Sequence, residues 1–510
     1  MAAGAAGLTA SAGATAALAE EAAGASYDVV VVGFGGAGAS AAIAAADLGA
    51  KVLVVEKAPE GWAGGNTRLS GQQVLCPSDL EAAVGYLVAI QDQFSCDEEL
   101  IRATTQEMMA NEQALTDLGA KVEYITYSEF PEVPGSETMT CCLVDRERST
   151  GKAWAAYYEG VLARADSIDV WYDSPAKRLV LDAEGAVTGV VVEHEGGEVE
   201  IAAAKGVIMA CGGFENNQDM IQCYLHLPYG YPKGTPYNTG DGILMAMQLG
   251  AGMVQTGHCH MMHDFDSGPM ASVPFMAVNM DGNRFMNEDM PFTMINVQMR
   301  DQPKPGWFVQ IYDGNYETTV PEMGFKATPA DAVQKWMPEV EMDRSVASGN
   351  KVIEGLVDLY CADTLEELAE KIEVPADALI ASVERYNELV DAGFDEDFGK
   401  NPKYLKKIEQ APFWGARKHI RVSALCAGMT VNENYQVITT EGEVIPHLWA
   451  TGFGAGQLCG APDWSMYQSG MSAGHCFTSG RYTAIHAVTG GLEPSKPVMW
   501  EDIADLVPEQ

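Results

Sequence analysis

Three features of the 510-residue sequence predict an α/β protein: a parallel sheet interrupted by a second, α+β unit. A strand, a glycine turn, an alanine-rich helix and a second strand follow one another over residues 27–57. Two further apolar strands, at 205–214 and 447–456, also end on glycines. Between about 260 and 417 the composition changes, and Pro and Met become frequent.

In chain order, residues 1–26 are mostly Ala, Gly, Ser and Thr without Lys or Arg, and Ala17-Leu18-Ala19 precedes Glu20-Glu21. Weak hydropathy before an A-x-A site fits an export signal of twin-arginine type lacking its basic start, which would place the protein in the cell envelope. The other reading is a disordered leader on a cytoplasmic protein. Residues 27–32 carry no charge after Asp28 and are rich in Val, as a strand buried on both faces requires. Gly33, Gly35, Gly36, Ala37 and Gly38 come next, in a G-x-G-x-x-G frame. The first glycine allows a tight turn, the second lets backbone approach a pyrophosphate, and Gly38 packs the helix on the strand. Glu56, at the end of the second strand, stands where an acid binds ribose hydroxyls, with Lys57 beside it. Together these define a Rossmann-type dinucleotide-binding domain.

Residues 64–71, GGNTRLSG, follow closely and bring Gly64, Gly65, Asn66, Thr67, Ser70 and Gly71 toward the same ligand. The stretch 179–201 alternates around Glu-Gly and Gly-Gly turns and predicts a meander. Ala210, Gly212 and Gly213 end the strand of 205–214, and Gly452 ends that of 447–456. Strands ending in glycines put backbone at the carboxyl edge of a parallel sheet, where ligands bind. Glycine contacts this far apart fit FAD better than NAD. Residues 364–389 have helical spacing with a helix start at Pro375, 421–437 reads as a strand, and 469–488 as the last helix. The predicted division is a leader at 1–26, a dinucleotide domain at 27–259 and 418–510, and an inserted domain at 260–417.

Composition narrows the function. Lys and Arg number 31 against 71 Asp and Glu, a formal charge of −40, which repels nucleic acid. The 11 cysteines include no C-x-x-C, so a zinc knuckle, iron–sulfur set or c-type haem is not indicated. His258, Cys259, His260 and His263 raise a metal question, but no carboxylate or second cluster at ligand spacing accompanies them, so no metal is expected. Outside the leader no apolar run is long enough to span a bilayer.

With these segments in hand, the chain resembles the flavoproteins that include fumarate reductase, succinate dehydrogenase, L-aspartate oxidase and the 3-ketosteroid dehydrogenases. The resemblance covers residues 27–490. It rests on the fingerprint, GGNTRLSG, GVIMACGGF, Thr239-Gly240-Asp241-Gly242, VNMDGNRFMNE at 278–288, HLWATG and the final Ser479-Gly480-Arg481, in that order. It implies an FAD domain interrupted by an α+β capping domain, with substrate held between the two. It also implies FAD contacts for Asp241, Gly470 and Ser472, and charge stabilisation at the flavin by the helix beginning at 469–474. Covalent members attach flavin through a histidine near the first glycine segment. Residues 61–71 contain none, so non-covalent FAD is expected, with electrons from a separate donor.

The chain departs from fumarate reductases at their anchoring residues. Phe292 stands where an arginine delivers the proton, Tyr467 where an arginine binds a carboxylate, and Ser423 where a histidine lies. These losses remove the charge complementarity a dicarboxylate needs. An aromatic at 292 and a tyrosine at 467 are similar to the ketosteroid dehydrogenase branch. The expected chemistry is hydride transfer between flavin N5 and an activated C=C or ketone-conjugated carbon of an apolar ring substrate, whether steroid, isoflavonoid or phenylpropanoid. The direction is reduction or, alternatively, desaturation. A fumarate-reductase-like enoate reductase and a flavin electron-transfer subunit are further alternatives. Tyr467 is either the carbonyl donor or acid, or a packed aromatic. At most one of His258, His260 and His263 faces the flavin, and Phe292, Trp464, Met466 and Met471 supply apolar surface.

Overall fold

The computed structural model describes residues 26–490 apart from 71–72, 91–96, 127, 129, 145–150, 226–230, 233, 255–259, 264–269, 271–272, 291–294, 296–297, 300, 335–357, 425–426 and 457–467. For some strand residues, among them His260–His263 and Ser423, it describes the backbone alone. Almost all of the predicted leader lies outside the described residues.

Five parallel strands stand side by side in the order Ile168–Trp171, Val52–Val55, Ser26–Val32, Gly197–Met209 and Val444–Ala450. Gln436–Ile438 adds an antiparallel edge. Val29, Val30, Val31, Leu53, Val54, Val207 and Ile208 have no exposed surface, which is why these strands read as unbroken apolar runs. The cover on one side includes two helices, Gly36–Asp47 and Met471–Thr489, packed on each other. Gly480 lets them meet, since a Cβ there would lie 2.1 Å from the Ala37 carbonyl oxygen.

The predicted meander is present as Ala176–Leu181, Val187–His194 and the first half of Gly197–Met209, antiparallel in sequence. Glu195 and Gly196 both take positive φ, 50° and 82°, which a tight two-residue hairpin turn requires. The third strand does not stop. From Ala202, which pairs with both the hairpin and Ser26, it runs on in the parallel sheet, and at Gly206, with φ 129°, a Cβ would lie 2.3 Å from the His447 carbonyl oxygen.

The inserted unit is built on a six-stranded sheet whose hub is Phe413–Ala424. This strand pairs antiparallel with Trp307–Tyr312, Asp358–Ala362 and His260–His263, and parallel with Tyr231–Pro232. Met276–Val278 completes the sheet. The predicted helix over 364–389 is two, Leu365–Ile372 and Ala376–Ala392, broken at Glu373 with φ 61°. Thr364 caps the first by accepting from the Glu367 amide at 3.1 Å, and Pro375 precedes the second, at the predicted start. Leu368, Ile372, Leu379 and Val383 pack on Val278, Val309 and Ile311 to form a separate core. The α/β architecture with an inserted α+β unit is thus as the sequence predicts.

Two boundaries differ. The strand expected at 421–437 does not exist as one element. Residues to 424 finish the hub strand, and the segment beyond returns to the first sheet through single bridges of Met429 and Val431 before Gln436–Ile438. Apolar alternation continues through both, so the sequence pattern hides the crossing. Gly428 marks it, since a Cβ there would lie 2.7 Å from the Gly454 carbonyl oxygen. The division drawn at 417 consequently falls inside the hub strand, and Tyr231–Pro232, placed in the first domain, hydrogen-bonds to the second sheet.

One buried ionic cluster holds the inserted unit together. The Arg284 guanidinium donates to both oxygens of Glu288 at 2.8 Å and to those of Asp395 at 3.0 and 2.7 Å. Lys400 Nζ lies 3.3 Å from Glu288 and donates to the Tyr386 hydroxyl at 3.0 Å. Burial works to raise the Asp395 carboxyl, but Arg284 and the amides of Lys400 and Phe398 outweigh it and hold it down at about 2.

Candidate functional site

The carboxyl ends of the parallel strands open into a cleft that encloses about 890 Å³ of empty space, part of it open to solvent. Its floor is the first glycine turn. Gly33 has φ 106° and a Cβ there would lie 2.4 Å from the Ala210 carbonyl oxygen, so the turn and the strand beside it touch through backbone. Gly35 bridges Gly64, and Gly36 donates its N–H to the Thr67 hydroxyl at 3.1 Å. The helix Gly36–Asp47 has no side-chain cap and no acid in its first turn. Its N-terminal dipole is therefore free to face an anion.

Of the residues expected to bind the dinucleotide, the structure places Gly33, Gly35, Gly36, Ala37, Glu56 and Lys57 on the cleft wall. Gly65, Asn66, Thr67, Ala210, Gly212, Asp241 and Gly452 join them there. Gly38 lines no part of the wall. A Cβ there would lie 2.0 Å from the Gly33 carbonyl oxygen, so its role is to seat the helix, as read from the fingerprint. Gly64, Ser70, Gly213, Gly470 and Ser472 also lie off the wall. Gly64 instead donates to the Phe34 carbonyl at 2.9 Å, and the Gly213 carbonyl accepts from Gly240 at 3.1 Å, so both brace the loops behind it. Gly470, with φ 84°, precedes the last helix, and its carbonyl accepts from the Leu75 amide at 3.0 Å.

Glu56, expected to face a ribose, also braces the turn. Its two carboxylate oxygens accept from the Phe34 and Ala58 amides, each at 2.7 Å, which ties both sides of the turn to the second strand. Burial pushes its pKa up against these amides. Each oxygen keeps a further lone pair for a hydroxyl. Lys57 donates to Thr239 and to Asp241, both at 2.5 Å, and the Asn66 side chain accepts from the Thr235 amide at 2.9 Å. The segment after the second strand is thereby laced to residues 235–241 along one side of the cleft.

Several wall residues went unread in the sequence: Phe34, Trp62, Ser174, Ala176, Tyr237 and Phe453. Ser174 and Ala176 follow the parallel strand Ile168–Trp171, whose carboxyl end had to reach the same edge, so that strand was the available signal. Cys211 and Cys476 also face the cleft, and burial pushes both up to about 12. Both stay protonated thiols at neutral pH and are not nucleophiles.

The residues expected to act on substrate are less fully placed. Phe292, His258, Trp464, Met466, Tyr467 and Gly71 lie outside the described residues. Backbone pairing sets His260 opposite Ala424, with a register shift beside it, which puts the backbones of His260 and Ser423 at the same end of the hub strand. His263 pairs with Ile420 further along, about 10 Å away at strand spacing. Met471, expected to contact substrate, is 2% exposed and belongs to the core of the first domain. The start of the last helix packs on Gln73–Leu75, where a Cβ at Gly474 would lie 3.0 Å from Leu75. Among the described residues there is no group of three His, Cys, Asp or Glu side chains able to hold a metal, and no helix long and apolar enough to cross a membrane.

A parallel sheet with a glycine turn at a bare helix start, two further glycine segments on the same edge and an inserted second sheet defines a flavin-dinucleotide oxidoreductase. The chain belongs to the FAD binding domain family, whose pattern matches residues 28–461, and it is an FAD-dependent oxidoreductase. It is 29% identical over 506 residues to the vinyl phenol reductase of Lactiplantibacillus plantarum, covering 91% of this chain and 96% of that one. It is 27% identical to the 3-oxosteroid 1-dehydrogenase of Mycobacterium tuberculosis, covering 90% and 98%. The crystal structure of 3-ketosteroid delta1-dehydrogenase from Sterolibacterium denitrificans, in complex with 1,4-androstadiene-3,17-dione, superposes with a TM-score of 0.72. It is 22% identical and covers 91% of this chain and 100% of that one, a likeness of fold.

Proposed function

We propose that the protein is a reductase that saturates an activated C=C bond on a largely apolar ring substrate, of which a vinyl phenol is the first candidate. The observation that carries this reading is the identity of two positions. Phe292 and Tyr467 stand where the resemblance puts the arginines of dicarboxylate reductases. Arg284, eight residues before Phe292, is committed to Glu288 and Asp395. A phenylalanine and a tyrosine at the two arginine positions favour a neutral ring over a dicarboxylate. Full-length likeness to a vinyl phenol reductase supports the same choice.

Bound FAD supplies the hydride. The chain supplies the rest. Tyr467, neutral at pH 7 and able to donate, polarises the substrate oxygen or delivers the proton to the carbon beside the one that takes the hydride. Phe292 gives apolar surface to the ring. The cleft's walls hold FAD through backbone amides, without a covalent link, and a separate donor reduces it. Likeness to the 3-oxosteroid dehydrogenase favours one second reading, desaturation of a ketosteroid on the same scaffold.

The deciding experiment is anaerobic. The bound flavin is reduced with dithionite, and its reoxidation is followed after adding 4-vinylphenol, a 4-ene-3-ketosteroid or fumarate. Rapid reoxidation by the vinyl phenol with fumarate inert is expected. Reoxidation by fumarate alone would overturn the proposal, and reduction of oxidised enzyme by a saturated ketosteroid would establish the second reading.

A further inference from the structure

The last helix reaches the cleft through two buried side chains that the redox chemistry does not use. Ser479 and His475 stand one turn apart on it. Ser479 Oγ accepts from the Gly452 amide at 3.0 Å and from the Thr451 hydroxyl at 2.8 Å, and donates to the His475 carbonyl at 2.7 Å. His475 Nε2 lies 3.1 Å from the Gly452 carbonyl oxygen. That oxygen can only accept, so Nε2 carries the proton and Nδ1 is the acceptor. Nδ1 faces the Tyr435 hydroxyl at 3.4 Å, which in turn is 2.7 Å from the Thr104 hydroxyl. All five of these side chains belong to residues at most 1% exposed.

Gly452 is therefore gripped at both of its polar groups, its N–H by Ser479 and its C=O by His475. As a glycine it also has more conformational freedom to lose than Thr451 and Phe453 beside it. It takes φ 59°, and a Cβ there would lie 2.9 Å from that of Ala37, at the start of the helix facing the pyrophosphate. With Thr451 and Phe453 it forms one wall of the cleft. A packing role alone would be met by apolar side chains at 475 and 479. Two polar groups that converge on one glycine, with a tautomer fixed from behind, do more.

We propose that His475 and Ser479 are positioning residues for the cofactor: they fix the backbone of Gly452 so that the third glycine segment meets FAD in one geometry, and they set FAD affinity without touching it. The test is titration of the FAD-free protein with FAD, followed by flavin fluorescence and the visible absorption band. Ser479→Ala and His475→Leu are expected to weaken binding about tenfold or more and to shift the band. His475→Gln, whose amide donates where Nε2 does, is expected to recover most of the loss. Thr483→Ala removes another fully buried hydroxyl one turn further along the same helix and is expected to bind FAD like the parent. The proposal is overturned if Thr483→Ala loses as much affinity as Ser479→Ala, or if both cradle variants keep the parent's affinity. Should Ser479→Ala fail to fold, the His475 pair decides it: equal affinity for the Leu and Gln variants would sink the idea.

Discussion

Replacing Gly38 with alanine tests the seat of the phosphate-facing helix. Its Cβ would sit 2.0 Å from the Gly33 carbonyl oxygen and 3.4 Å from the Ala210 Cβ. A relaxed carbon–oxygen approach is about 3.3 Å, so the helix start must retreat by about 1.3 Å. Overpacking of this kind costs about 1–3 kcal/mol, against about 1 kcal/mol gained in helix propensity, so the fold survives with a small net loss. The cofactor is hit harder. A retreat of that size takes N–H groups out of hydrogen-bond range of the pyrophosphate, and each bond to a charged group contributes about 1.5–3 kcal/mol. FAD affinity should fall at least about tenfold. Gly85, exposed in the helix Leu80–Ala89 with nothing within 4 Å of a built Cβ, is the control, and Gly85→Ala should raise stability by up to about 1 kcal/mol. The assay pairs FAD titration with urea unfolding. A Gly38→Ala protein that binds FAD as the parent does would refute the reading of this turn.

Three further outcomes follow from the geometry. Lys57→Ala should weaken FAD binding only a few-fold, because the link to Asp241 is part-exposed, at 25% and 43%, and the deficit should shrink in 1 M salt. Asp395→Asn should cost about 3–5 kcal/mol in urea unfolding by leaving Arg284 and Lys400 under-compensated. Because the folded Asp395 pKa lies below its ordinary value, its contribution is full above pH 4 and is lost as pH falls through about 2. Burial holds His475 at about 4, below its ordinary 6.5, so the unfolded chain takes up a proton that the folded one refuses between those values. Stability should fall as pH drops from 6.5 to 4, and His475→Gln should flatten that part of the curve, as measured by thermal unfolding across pH.

The first domain was legible because backbone sterics write themselves into sequence. Gly33 and Gly38 leave no unstrained room for a side chain, and the strands around them are apolar on both faces. The inserted unit was legible only as a change in composition and one stretch of helical spacing over 364–389. Its hub strand joins residues far apart in the chain, and no local period records which strand lies in the middle. Alternation running on past residue 424 therefore suggested a single strand at 421–437. The burial of Met471 was unreadable for a related reason: an apolar residue at a helix start carries no mark of which side faces the core. The grip of His475 and Ser479 on Gly452 was invisible because it pairs side chains with backbone, which any sequence supplies.

The place of the hub strand also governs when the molecule can become itself. Phe413–Ala424 is the last strand of the inserted sheet to leave the ribosome, yet its partners there begin at residue 231. The first sheet waits longer still, for Val444–Ala450 beside Gly197–Met209. Neither domain has its full set of strands until most of the chain is made, so the two are completed almost together rather than in succession. A chain ending near residue 410 should accordingly yield no independently folded half, and FAD should be captured only in the final stretch of synthesis, when the last glycine segment closes on the first.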